Sequence, residues 1–254
     1  MKVSIITVVY NNAKTIKDAI ESVLNQTYKN IEYIVIDGGS TDGTVEIIKS
    51  YGGKINKFIS EKDNGLYDAM NKGISLASGC VVGILNSDDF YASNDILEIV
   101  ANEFVTKDID CLYGDLEYVG EDDINKVMRY WKSKPYKDGL FQKGWHPPHP
   151  TFFVKRECYE KYGVFNLDFK IAADYELMLR FLEKYKLKST YVPRTFVKMR
   201  VGGESNKSLS NIIKANIESY KAWKVNGLYI NPLMFLLKPL SKVLQLFRRN
   251  KNYL

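Results

Sequence analysis

The sequence predicts an α/β fold: a mostly parallel central sheet with flanking helices, followed by a C-terminal helical tail. Three observations predict it. Short apolar runs alternate with segments of helical periodicity through the first half, which is the pattern of successive βαβ units. The 254 residues are 45% hydrophobic and 26% charged, a balance that suits one large globular domain with an appendage and argues against disorder. Acidic residues also fall at the carboxyl ends of the apolar runs, where open α/β sheets bind ligands.

The first strand is Val3 to Val9. It reaches the polar pair Asn11-Asn12 too soon for a signal peptide and lacks a small-residue cleavage site, so it reads as a buried strand. Further strands are expected at Ile31 to Ile36, Phe58 to Glu61 and Val81 to Leu85. Between them Ile16, Ala19, Ile20, Val23 and Leu24 recur at helical spacing, as do Val45 and Ile48, then Leu66, Ala69, Met70, Gly73, Ile74 and Ala77. Such stripes face a core. After Asp108 the pattern loosens into strands near Cys111 to Val119, an aromatic-rich loop from Trp131 to Trp145, and helices near Arg156 to Tyr162 and Ala173 to Lys184. The expected organisation is a domain over 1–205, split into halves at 107/108, and an extension over 206–254.

Three cysteines, Cys80, Cys111 and Cys158, lie far apart with no C-x-x-C. They suggest neither a disulfide framework nor a thiolate metal site, and they fit a reducing cytosol. The net charge of +6 is unevenly placed: from Arg200 onward ten Lys and Arg face two Glu, leaving −2 for residues 1–199. The basic character belongs to the tail. From Leu233 to Arg249 its apolar stretches are too short to span a bilayer. Basic heads beside Leu and Phe suit peripheral contact with an anionic membrane surface; a helix closing the domain's own core is the other reading. No nucleic-acid motif accompanies the charge, so nucleic acid is not an expected partner.

Asn86-Ser87-Asp88-Asp89 follows the run Cys80 to Leu85. Adjacent strand residues point to opposite faces, so Asp88 and Asp89 converge only if the strand stops near Leu85 and the chain turns. Paired carboxylates repel each other, and a hard cation such as Mg²⁺ or Mn²⁺ offsets the repulsion while sharing phosphate oxygens. A metal-bridged nucleotide diphosphate is one reading, and a solvated turn capping the next helix is the other. The second strand ends in Asp37-Gly38-Gly39-Ser40-Thr41-Asp42-Gly43-Thr44. This is not G-x-G-x-x-G after the first strand, which disfavours an NAD oxidoreductase. Asp37 either accepts hydrogen bonds from a base or ribose or organises its own turn.

These segments, together with Val3-Ser4-Ile5-Ile6-Thr7-Val8-Val9-Tyr10-Asn11-Asn12 and Glu61-Lys62-Asp63-Asn64-Gly65-Leu66-Tyr67-Asp68-Ala69-Met70-Asn71-Lys72-Gly73, occur in the order and spacing of family 2 glycosyltransferases. The chain resembles that family over residues 1–205, and within it the bacterial transferases that build O-antigen, capsule or exopolysaccharide units. The resemblance implies a GT-A fold, a nucleotide-sugar donor, a Mn²⁺ or Mg²⁺ cofactor and transfer with inversion. Carried over by position, it implies that Val8 and Tyr10 line the base pocket, Asp37 contacts the base and Asp63 the nucleoside. Asp88 would face the ribose or metal, and Asp89 would ligate the metal on the donor diphosphate. Asp68, Asn71 and Lys72 would at most support the nucleotide.

In the second half, Ala172-Ala173-Asp174-Tyr175-Glu176-Leu177 resembles the family's A-x-D-Y-E-L segment, which implies that Asp174 is the general base and leaves Glu176 structural. An Asp near a helix N-terminus is also favourable there as a cap. His146 and His149 lie in a proline-rich loop. A zinc site would need a third ligand that is not apparent nearby, and the resemblance makes His149 an acceptor-side or donor-sugar candidate. In Arg200-Val201-Gly202-Gly203-Glu204-Ser205-Asn206-Lys207 the resemblance implies a loop closing over the diphosphate, with Arg200 suited to phosphate through its bidentate fork. The expected enzyme is an inverting glycosyltransferase using a UDP-sugar first of all. It would act on a glycan or polyprenyl-diphosphate-linked saccharide, in the cytoplasm at the inner face of the cell membrane. A sugar nucleotidyltransferase is the alternative enzyme, although it usually carries a Gly-rich loop where this chain has Tyr10-Asn11-Asn12. A non-catalytic carbohydrate-binding scaffold is the third reading.

Overall fold

The computed structural model describes residues 1–202 and 209–230. The end of the expected phosphate loop and the tail segment from 233 to 249 lie outside the described residues. The first half alternates β1 (Val3–Val9), α1 (Ile16–Leu24), β2 (Ile31–Asp37), α2 (Thr44–Ser50), β3 (Lys57–Ser60), α3 (Leu66–Leu76) and β4 (Val81–Asn86). Each expected strand and stripe is present to within a residue or two. These four strands pair in parallel in the order β3-β2-β1-β4, with Val3 opposite both Ile31 and Val81. All seven residues of β1 are buried, because helices cover both faces of a parallel sheet and the strand needs no polar side.

The faces divide by alternation. Ile6, Val8, Ile34, Ile36 and Ile84 join Met70 and Ile74 of α3 in one core, while Val3, Ile5, Val9, Tyr33 and Val35 join Ile16, Ile20 and Val23 of α1 in the other. Each fully buried Ile or Val stabilises the fold by about 1.5–3 kcal/mol relative to exposure. α3 approaches β1 so closely that a Cβ at Gly73 would lie 2.3 Å from Ile6 Cγ2.

The second half is mixed. Its elements are β5 (Asp89–Tyr91), α4 (Ile96–Thr106), β6 (Cys111–Val119), β7 (Val127–Trp131), β8 (Phe153–Lys155), α5 (Arg156–Tyr162), α6 (Ala173–Leu179), β9 (Ser189–Arg200) and α7 (Leu209–Val225). The sheet continues from β4 as β8-β6-β9-β5, with β7 on β6. β8 runs antiparallel to β4 and β6, β9 parallel to β6, and β5 antiparallel to β9. A π-helical turn over Arg180–Lys184 extends α6. Packing does not end at the expected division after 205: Ala222 and Trp223 of α7 are buried in the core shared with α6, and Trp223 Nε1 donates to the Tyr175 hydroxyl at 3.0 Å. No helix among the described residues is long and apolar enough to cross a membrane.

Candidate active site

The carboxyl ends of β1, β3 and β4 open into a cavity of about 620 Å³ whose far wall comes from the second half of the chain. From the parallel half it is lined by Val8, Tyr10, Asp63 and Asp88, and from the mixed half by Trp131, His146, His149, Lys170 and Asp174. The cavity therefore brings together Val8, Tyr10, Asp63, Asp88, His149 and Asp174 of the sequence candidates. Three others stand elsewhere.

Asp37 is fully buried. One carboxylate oxygen accepts from the Gly39 and Ser40 amides at 3.1 and 3.0 Å and from Ser60 Oγ at 2.7 Å, and the other accepts from Ser40 Oγ. It organises its turn and does not line the cavity. The neighbouring Gly38 is what the turn exposes: a Cβ there would lie 2.5 Å from Asp63 Oδ2 and 3.4 Å from the Tyr10 ring. Asp63 Oδ1 accepts from the Gly65 amide at 2.8 Å, which holds the other oxygen over the bare backbone of Gly38. Tyr10 beside it is 62% exposed, a ring face offered to solvent at a strand's end.

β4 stops at Asn86, the chain turns through Ser87 and Asp88, and Asp89 is the first residue of β5, close enough to Asp88 for that charge to act on its carboxyl. Asp88 lines the cavity. Asp89 is buried, with Asn86 Nδ2 at 3.4 Å and its Oδ1 without a hydrogen-bond partner. Burial, and secondarily the charge of Asp88, push its carboxyl well above the carboxylate range. A buried carboxylate oxygen without a partner, one residue from Asp88, is the arrangement a bound cation would satisfy. Arg200 is 5% exposed, it donates to the Asp88 carbonyl at 2.7 Å and it pairs with Asp18 of α1. Its guanidinium braces the acidic turn.

Asp174 is the second residue of α6. The Tyr67 hydroxyl donates to Ile171 O at 2.8 Å and lies 3.3 Å from Asp174 Oδ1. Burial and the Asp174 charge raise the Tyr67 hydroxyl far above the usual phenol range, which keeps it a donor. His149 is packed edge-on against Phe165 at 5.5 Å between ring centres, and burial lowers its pKa while the Asp174 charge partly restores it. Glu176 pairs with Arg180 at 2.9 Å inside the core. Asn71 bonds the Phe165 backbone, Asp68 the Asn64 amide, and Lys72 the Glu61 carboxylate; none of the three lines the cavity. Tyr67 lies within a quoted motif, and its role becomes visible only once α3 is docked on α6. Trp131 and His146, in edge-to-face contact at 5.2 Å, form an aromatic wall that only the general aromatic richness of that region signalled.

Among the described residues no three His, Cys, Asp or Glu side chains cluster as a self-sufficient metal cage. Hard divalent cations at phosphate sites are typically held by one or two carboxylates plus substrate oxygens, and Asp88 in the cavity fits that pattern.

The glycosyl transferase family 2 profile matches residues 4–163. The chain belongs to that family. An uncharacterized glycosyltransferase of Rickettsia typhi is 33% identical to this glycosyltransferase over 229 residues, covering 87% of this chain and 69% of the relative. Among solved structures, residues 1–349 of S. aureus TarS in complex with UDP-GlcNAc superimpose with a TM-score of 0.67 at 18% identity, covering 89% of this chain and 65% of that TarS fragment. The mannosyltransferase PcManGT from Pyrobaculum calidifontis, in complex with GDP-Man and Mn²⁺, gives 0.64 at 16% identity, covering 95% of this chain and 73% of PcManGT. The fold is GT-A. This chain spans about two thirds of the length of the Rickettsia relative and of the TarS fragment.

Proposed function

We propose that this family 2 glycosyltransferase is an inverting, divalent-metal-dependent enzyme that moves a sugar from a UDP-sugar to a hydroxyl of a glycan or lipid-linked saccharide in bacterial surface polysaccharide synthesis. The observation that carries the reading is the pairing of Asp88 and Asp174 across one cavity, each supplied by a different half of the chain. UDP-GlcNAc in TarS and GDP-Man with Mn²⁺ in PcManGT support a nucleotide-sugar donor and a metal. The early motifs support the polysaccharide role by resemblance. The basic tail supports peripheral placement at the inner membrane face.

Asp63 and Tyr10 receive the nucleoside, the first as acceptor for the uracil imide N–H and the second as a ring face. Asp88 and Asp89, the two acids of the turn after β4, would hold Mn²⁺ or Mg²⁺ together with the donor diphosphate. The bound cation would neutralise charge on the leaving diphosphate. Trp131 and His146 receive the apolar face of an acceptor sugar, and His149 orients a hydroxyl. Asp174 takes the proton from the acceptor hydroxyl as that oxygen bonds to the anomeric carbon and the bond to the diphosphate oxygen breaks, so the nucleoside diphosphate leaves with the electron pair. In-line displacement from the opposite face inverts the centre.

The test is incubation with Mn²⁺ and labelled nucleotide sugars, first screened by thermal shift. A donor at about 100 times its dissociation constant adds roughly 2.7 kcal/mol of stability. A transferase releases nucleoside diphosphate; a nucleotidyltransferase would exchange pyrophosphate, and a scaffold would do neither. Release of nucleoside diphosphate from no donor, with exchange of pyrophosphate, would replace the proposal with the nucleotidyltransferase.

A further inference from the structure

We infer that Glu218, on the C-terminal helix α7, is a positioning residue for Asp174. The inference rests on the proposed role of Asp174 as base. Three consecutive backbone amides converge on this one carboxylate: Lys170 N donates to Oε1 at 2.9 Å, and Ile171 N and Ala172 N donate to Oε2 at 2.9 and 2.8 Å. These residues form the last segment before α6, and Ala172 is that helix's N-cap residue. The backbone from which Asp174 projects is thus tied to a helix 46 to 48 positions downstream.

The same segment is held from its other side by α3, through the Tyr67 hydroxyl on Ile171 O and beside Asp174 Oδ1. α6 is then gripped further along by α7, through Trp223 on Tyr175 and Asn226 Nδ2 on Glu176 Oε1 at 2.9 Å. Lys221 Nζ lies over the Phe169 ring at 5.1 Å. Ala215 and Ser219 of α7 themselves line the cavity. α7 is therefore a wall of the site, and Glu218 is the one of its side chains that fixes the strip of backbone carrying the base.

Hydrogen bonds from neutral amides to a carboxylate are stronger than neutral pairs, and three of them restrain one short segment tightly. A displacement of about 1 Å at a reacting group can lower a rate by about 10²-fold without breaking the fold. Gln at 218 retains one acceptor oxygen and turns an amide donor toward amide donors. Its effect should therefore fall on turnover more than on nucleotide binding, since Tyr10, Asp63 and Asp88 are carried by other segments of the chain.

The experiment compares wild type, Glu218→Gln, Glu218→Asp and the control Ile217→Ser, whose side chain is 63% exposed on the outer face of the same helix. Affinity is measured with UDP and Mn²⁺, turnover as nucleotide release from the donor selected by thermal shift, and backbone mobility by hydrogen–deuterium exchange of amides 170–174. Expected for Gln are UDP affinity within twofold of wild type, a kcat lower by about tenfold or more, and faster exchange confined to 170–174. Asp, one methylene shorter, should fall between Gln and wild type, and the control should match wild type. Faster exchange with unchanged kcat in both Glu218 variants would show a helix-docking residue only and overturn the inference, as would unchanged exchange. If Gln does not fold, the Asp variant decides by the same criteria. Wild type that releases nucleotide from no donor refutes the transferase reading instead, and the exchange data still determine whether Glu218 restrains the segment.

Discussion

The two halves of the sheet reach the same cavity by different routes. From β3 to β4 every strand pair is parallel, consecutive strands are joined through helices, and the functional side chains fall at strand ends. From β8 to β5 the pairings are mixed, and β9 pairs with β6 and β5, formed about 80 and 110 residues earlier. The nucleotide-facing wall thus follows from a local repeated rule, while the wall carrying Asp174 is assembled from distant segments. Specificity for the donor and chemistry at the acceptor are expected to separate along this line.

The sharpest way to break that separation is Asp174→Asn. Turnover at saturating donor and acceptor should fall by about 10²-fold or more, the usual size of a general-base contribution, with UDP affinity and melting temperature close to wild type. Near wild-type turnover would move the base elsewhere. On the other wall, Asp88→Asn should weaken Mn²⁺-dependent UDP binding by at least about tenfold in calorimetric titration. Asp89→Asn, at the neighbouring buried acid, should weaken that binding by a similar factor. Unchanged binding in the Asp89 variant would take that residue out of the metal site.

Trp131→Ala should raise the acceptor KM by about fivefold, the size of an aromatic contact worth about 1 kcal/mol, without changing UDP affinity. A loss of UDP affinity would place the aromatic wall on the donor side. The smallest expected effect is Gly38→Ala. A methyl 2.5 Å from Asp63 Oδ2 must displace that carboxylate, so UDP should bind a few-fold more weakly while the melting temperature holds. Unchanged affinity would take Asp63 out of base recognition.

The parallel half was legible because its strands and helical stripes repeat at short range. The following β5, three residues beginning with an acid, was too short and polar to announce a strand. Asp37 could be recognised as a turn residue or a ligand from its surroundings, and only the fourfold use of its oxygens decides. β9 carries Thr, Arg, Lys and Pro193 and is partly exposed along much of its length, so periodicity did not mark it. Arg200, at its end, therefore looked like a loop cation. Asp174 was legible as a motif residue, whereas Glu218 was not, because nothing in sequence links a carboxylate to three amides nearly fifty positions away.

The brace made by Arg200 also sets an order of assembly. Its contact with Asp18 closes a loop of 182 residues, and its hydrogen bond to the Asp88 carbonyl closes one of 112. Contacts of such separation form late, because their closure entropy must be overcome before they stabilise anything. As the chain emerges from the ribosome, the parallel strands can pair while the acidic turn still lacks its support. The turn takes its final shape only when β9 docks against β5, so a nascent or truncated chain ending before Arg200 would carry a folded nucleotide-side sheet without the finished acidic turn.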